Sequence, residues 1–161
     1  MTEPNWDNVP LVAGSGGVLT EELRTSHSGR KALMLTRQAD PSEFLSLAKT
    51  MDIEVVEIVS QKGRSNARLH FGRGRLEAIR DELRMAPESH PWFGIDLILV
   101  NANLSPRQLV NMTDIIQSET WDRVRLLLEL FTQHASSVEA RNQVRIARLN
   151  ADRNILRELV N

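Results

Sequence analysis

From residue 31 the chain alternates short apolar runs with segments whose apolar positions recur every three or four residues. Ala32-Leu33-Met34-Leu35-Thr36 is apolar and of strand length. Asp40-Pro41-Ser42-Glu43 reads as a helix start, with Asp as cap, Pro in the first turn and Glu placed to return the hydrogen bond. Phe44, Leu45, Leu47, Ala48 and Met51 continue at helical spacing, and Ile53 to Val59 is a β-branched run. Strand, helix and strand with short joints predict a βαβ unit, which favours a parallel sheet with a right-handed crossover. Gln61 to Arg68 is a polar, basic loop. Leu69-His70-Phe71 alternates like a short strand, and Gly72-Arg73-Gly74-Arg75 turns the chain into a helix buried along Leu76, Ile79 and Leu83. A loop from Pro87 to Gly94 leads to a buried strand from Asp96 to Asn101. Ser105-Pro106 then opens a helix whose apolar face is Leu109, Met112, Ile115 and Ile116.

The last part changes character. Trp121 and Asp122 read as a brief extended link, and Val124 to His134 is strongly apolar at helical spacing. Ser136-Ser137-Val138-Glu139 offers a capping box for a final helix with Val144, Ala147, Ala151, Ile155 and Leu159 on one side. That helix has no Pro or Gly and stops at Asn161 without a clear cap, as an arm or a chain cut short would. The expected architecture is α/β: a small parallel sheet with flanking helices, followed by a long C-terminal helical arm. Residues 1–30, with Pro4, Pro10 and Gly14-Ser15-Gly16-Gly17, have no sustained period and read as a flexible extension. Residues 31–122 form the α/β subdomain and 123–161 the arm.

Composition narrows the function classes. With 161 residues, 41% hydrophobic, the chain can build one core. It has no cysteine, which excludes disulfides, thiolate metal sites and a cysteine nucleophile. No apolar run is long enough to cross a bilayer, and no basic start precedes an apolar stretch, so a cytoplasmic protein is expected, with an organelle matrix as the alternative. The four histidines, His27, His70, His90 and His134, show no metal-ligand spacing. The three lysines, Lys31, Lys49 and Lys62, never stand in Gly-Lys-Ser/Thr, and no Asp begins Asp-x-x-Gly. The phosphate loop and metal-sensing switch of a GTPase are therefore absent from this sequence, and no catalytic residue or cofactor is expected in it. Asp96 and Asp122 flank apolar segments and read as caps or loop hydrogen-bond acceptors rather than bases.

The net charge is only −1, but it is unevenly spread. Residues 61–84 carry seven Lys/Arg against three Asp/Glu, and residues 141–161 five against two. Lys62, Arg64, Arg68, Arg73 and Arg75 crowd one stretch with no acid among them. The functional reading is phosphate contact with RNA, since the guanidinium fork matches phosphate oxygens, and the plainer one is a solvated loop. Arg141, Arg145 and Arg148 step along one helical face and read as an RNA-facing stripe or as salt-bridge partners. Apart from Phe71, which reads as part of a short strand, neither island interleaves an aromatic, so shape and phosphate contacts are expected over base stacking. Gly72 and Gly74 either form a tight turn or let the backbone approach a phosphate at the following helix N-terminus.

Four runs in one order carry a resemblance. They are Leu69 to Ile79 around Gly-x-Gly-basic, Asp96 to Val100 leading into Leu104-Ser105-Pro106-Arg107-Gln108, Trp121-Asp122-Arg123 with Leu126 to Ala135, and Glu139-Ala140-Arg141-Asn142-Gln143-Val144. Together they resemble the N-terminal domain of HflX-type ribosome-associated GTPases over about residues 31 to 150. The resemblance implies an α/β subdomain with a helical arm, joined in cis to a GTPase domain that would hold GTP and Mg. It also implies docking on the large ribosomal subunit and its RNA, in splitting or rescue of ribosomes, and a regulatory role towards the GTPase. The family's glycine-rich segment, second long helix and GTPase domain are missing here. Its Leu-Pro-x-Leu is replaced by Arg153-Asn154-Ile155-Leu156-Arg157. Two alternatives stay open: a stand-alone adaptor using the arm for protein–protein or homodimer contacts, and a weak nucleotide-binding domain around Gly72 and Gly74.

Overall fold

A computed structural model describes residues 27–135 and 137–160; the expected extension lies outside them except for its last four residues. Within these residues four strands, β1 (Lys31–Thr36), β2 (Glu54–Ser60), β3 (Ile95–Val100) and β4 (Glu119–Trp121), pair in the order β2-β1-β3-β4, all parallel. Among the described residues five helices follow the chain between and after them: α1 (Ser42–Thr50), α2 (Arg73–Met85), α3 (Pro106–Ile116), α4 (Arg123–His134) and α5 (Val138–Val160). The α/β reading, with a long helix at the end, is what the structure shows.

The central strands are apolar on both faces because both faces are covered. Leu33 and Leu35 of β1 and Ile98 and Val100 of β3 point into one core with Leu76, Ile79, Met112 and Ile116 of α2 and α3. Their neighbours Ala32, Met34, Leu97 and Leu99 point into a second core with Phe44 and Ala48 of α1, Trp121, and Leu126 of α4. The chain steps from β1 to β2 in one direction and then crosses to β3 in the other. Right-handed crossovers therefore send α1 and α2 to opposite faces. Edge strand β2 exposes Glu54 and Glu57, charges that discourage edge-to-edge pairing.

The expected arm begins at α4, but Leu126 of α4 is fully buried in the second core, beside α1. α5 packs on α3, from one layer, and on α4, from the other. It thus bridges the two layers on the β4 side of the sheet. Among the described residues no helix is long and apolar enough to cross a membrane.

Helix starts follow local chemistry with some changes of residue. Ser105 and Gln108 form the reciprocal capping box of α3, with Pro106 in its first turn. At α1, Asp40 accepts from Ser42 N at 3.0 Å while Pro41 takes the cap position and makes no side-chain cap bond. At α5 the hydroxyl of Ser137 accepts from Ala140 N at 3.0 Å, one residue later than the expected box; Ser136 lies outside the described residues. Trp121 belongs to β4, and Asp122 caps α4. Leu69-His70-Phe71 is not a strand. His70 sits at φ 63°, so the segment turns, with only an isolated bridge between Asn66 and His70.

Candidate nucleic-acid interface

The connection from β2 to α2 leaves the C-terminal edge of the sheet, where helix N-termini gather and ligands of parallel sheets meet the fold. Its two large apolar residues, Leu69 and Phe71, are driven inward and join the α2–α3 core. The polar remainder is tied by hydrogen bonds. The Asn66 side chain accepts from Arg68 N at 2.8 Å and Leu69 N at 3.3 Å, an Asx turn. Two α3 side chains hold the loop's backbone: Gln108 donates to Asn66 O and Asn111 to Arg68 O, each at 3.2 Å. At its end, Gly72 N donates to Gln61 Oε1 at 3.0 Å.

With anchors inside and backbone secured, the cations are left outside. Lys62, Arg64, Arg68, Arg73 and Arg75 are all exposed. Arg73 pairs with Glu77 one turn on at 3.0 Å, and Arg75 reaches Ser60 O at 3.4 Å. Both contacts are solvent-exposed, and such an ion pair contributes little. Arg37, after β1, also joins this edge: it lies over the Phe71 ring and donates to Gly63 O. Sequence reading passes over it, because a lone Arg 24 positions before Gln61 gives no sign of meeting that loop. His70 is not a further cation here. Burial, then the Arg37 charge, holds its imidazole below the usual histidine range.

The two glycines differ. Neither has positive φ, so neither is required by a tight turn. A Cβ on Gly72, which is the extended cap of α2, would come within 3.1 Å of the Gln61 side-chain nitrogen. A Cβ on Gly74 would meet nothing within 4 Å. The first turn of α2 is therefore open to solvent, with no acidic residue and no side-chain cap, and the helix dipole adds to the arginines.

The second basic group divides. Arg141 and Arg145 of α5 are exposed, and Arg141 donates to Ala135 O at 3.3 Å. Arg148, expected on the same outward face, is turned inward and only 5% exposed. Its guanidinium meets Glu129 of α4 at 3.0 Å. The same carboxylate takes Arg125 at 3.1 Å and, through its other oxygen, His27 Nε2 at 3.1 Å. Arg125 also reaches Asp152 of α5 at 3.1 Å. Sequence reading misses this cluster. Its only trace is the i, i+4 spacing of Arg125 with Glu129 and of Arg148 with Asp152.

The point where strand order reverses, between β1 and β3, is filled by the fold itself. Asn101 donates to the Thr36 hydroxyl at 3.2 Å and accepts from Arg123 at 3.0 Å, and Arg123 also donates to Glu43 at 3.0 Å. Asp122 accepts from Arg125 N and Leu104 N, and its burial pushes its carboxyl up from the usual range against those bonds. Asp96 pairs with Arg30 at 3.2 Å. Both aspartates thus act as hydrogen-bond or ion-pair partners. Among the described residues no group of His, Asp and Glu is arranged to hold a metal ion.

The whole is a doubly wound parallel α/β domain with a pinned basic loop at its C-terminal edge. Residues 38–132 match the GTP-binding GTPase N-terminal family, and the chain belongs to that family, the N-terminal region of HflX-type proteins. It is 35% identical over 109 residues to the GTPase HflX of Caldanaerobacter subterraneus subsp. tengcongensis, covering 67% of this chain and 24% of that protein. It is 30% identical over 119 residues to the GTPase HflX of Thermococcus kodakarensis, covering 74% and 25%. The chain thus spans about a quarter of these relatives' length. Its fold is similar to the crystal structure of a GTP-binding protein from Sulfolobus solfataricus in complex with GDP, with a TM-score of 0.65 and 23% identity over 81% of this chain and 39% of that one.

Proposed function

We propose that this chain is the ribosome-docking and regulatory N-terminal domain of an HflX-type GTP-binding protein. It meets the RNA of the large subunit through the basic loop, and GTP and Mg belong to a GTPase domain in cis that this chain does not contain. The observation that carries the reading is the loop between β2 and α2 together with the first turn of α2, where buried Leu69 and Phe71 anchor a hydrogen-bonded backbone and five cations, three in the loop and two in the turn, are exposed. Such a loop loses little freedom on binding, and its chemistry suits phosphates. Arg141 and Arg145 extend the same chemistry to α5, whereas Arg148 does not take part.

The test is the salt dependence of binding to purified large subunits. Log affinity should fall linearly with log salt, and Arg73→Ala with Arg75→Ala should flatten the slope by roughly one unit for each phosphate no longer neutralised. An unchanged slope removes Arg73 and Arg75, at the start of α2, from the interface. The adaptor reading has one observation of its own: Ile146, Leu149, Leu156 and Val160 of α5 are exposed. A sedimentation mass that rises with concentration, together with indifference to ribosomes, would put it first. The nucleotide-binding reading is weakened by the filled switch point and would need ATP or GTP binding that Gly74→Val abolishes.

A further inference from the structure

α5 is a helix of 23 residues, yet its buried residues are Arg148, Asp152 and Ile155, two of them charged. Its partner α4 buries Arg125, Leu126 and Glu129, again two of three charged. The apolar part of the docking is small: Ile155 with Leu109 and Val110 of α3, flanked by Leu104 and Leu159. The charged part forms one connected set. Arg148 and Arg125 share one oxygen of Glu129, at 3.0 and 3.1 Å, and Arg125 turns its other end to Asp152 at 3.1 Å. All four side chains are at most 6% exposed. The other Glu129 oxygen accepts from His27, whose Nδ1 accepts from Arg30 at 3.2 Å, and Arg30 pairs with Asp96 and Glu119 at the start of β3 and at β4. Neither of the two cores that flank the sheet includes a residue of α5.

A contact of this composition behaves differently from a core. Taking charges out of water offsets most of their mutual attraction, so the net hold is modest. An apolar face of equal size would hold more tightly and tolerate sliding. We infer that α5 is a latched arm: the Arg148–Glu129–Arg125–Asp152 set fixes it in one position, and it can lift off as a unit while the α/β sheet stays folded. This does not rest on the ribosomal reading.

Amide hydrogen exchange of the full chain, resolved along the sequence, tests the latch through Arg148→Met and the milder, nearly isosteric Asp152→Asn. In the parent, α5 should exchange through an opening that leaves β1 and β3 protected. Arg148→Met should speed exchange across residues 144–158 by roughly a hundredfold, because it removes the cation that α5 itself brings to buried Glu129, which keeps only Arg125 and His27, while protection in β1 and β3 is kept. Asp152→Asn should act in the same direction more weakly. Arg107→Ala, at the exposed Arg107–Glu158 contact of 3.7 Å, should change α5 exchange less than threefold. Unchanged α5 exchange in both latch variants overturns the proposal. So does joint loss of protection by α5 and the sheet in Asp152→Asn, which decides the matter if Arg148→Met unfolds the whole chain.

Discussion

Phe71 links the stability of this domain to its proposed binding. Its ring is fully buried in the core beneath the basic loop, one residue before the α2 cap, and carries no charge. Phe71→Ala removes most of that anchor and should cost about 3 to 5 kcal/mol, the range for such truncations in packed cores. Phe71→Leu keeps much of the volume and should cost less, about 1.5 kcal/mol. Urea unfolding followed by circular dichroism should give lower midpoints with an unchanged slope, because the surface exposed on unfolding is the same. The effect on RNA follows from the loop's freedom. With Phe71→Leu all five cations remain, but holding their side chains in place at binding now costs more, at about 0.5 to 1.5 kcal/mol for each one affected. Affinity for large subunits should fall by roughly tenfold while the salt slope stays as in the parent, since the number of phosphates neutralised is unchanged. The arginine double variant should do the opposite and change the slope. A Phe71→Leu protein that folds, is destabilised and binds as tightly as the parent refutes the idea that a pinned loop matters. A changed slope refutes the assignment of Phe71 as an anchor only.

Two further substitutions probe local structure. Gly74→Ala should raise stability by about 0.5 to 1 kcal/mol, since the site is helical with open space around it, and should weaken RNA binding if a backbone phosphate approaches there; thermal melts and the same binding assay read the two effects. Asp122→Asn should lower stability most at acid pH. The folded carboxyl titrates above its unfolded value of 3.8, so its contribution is fully present below that value and is lost as pH rises through the folded one. The destabilisation by Asn, measured by urea midpoints between pH 3.5 and 7, should therefore shrink as pH increases.

What is legible in the sequence is what depends on neighbours along the chain. β1 and β3 announce themselves because strands covered on both faces are apolar at successive positions through their middle, and α3 because Ser105, Pro106 and Gln108 satisfy its first turn from within four residues. The family likewise rests on local runs. Leu69-His70-Phe71 misleads because alternation records only that two side chains go inward. Whether the backbone between them stays extended or turns at His70 depends on α3 side chains far along the chain, Gln108 and Asn111, which hold the loop. β4 is three residues long, too short for any period, and exists because β3 offers it an open edge.

The basic residues divide along the same line. That Lys62, Arg64, Arg68, Arg73 and Arg75 form one group is readable, because they sit in one short stretch. That Arg141 and Arg145 face solvent while Arg148 is buried is not. Helical spacing assigns side chains to a common side but cannot say what stands opposite. Only the tertiary structure, by bringing Glu129 and Asp152 across from Arg125 and Arg148, decided which arginines face outward to meet a partner and which hold the fold, because the energy of a charge is set by whatever the rest of the chain places within a few ångströms of it.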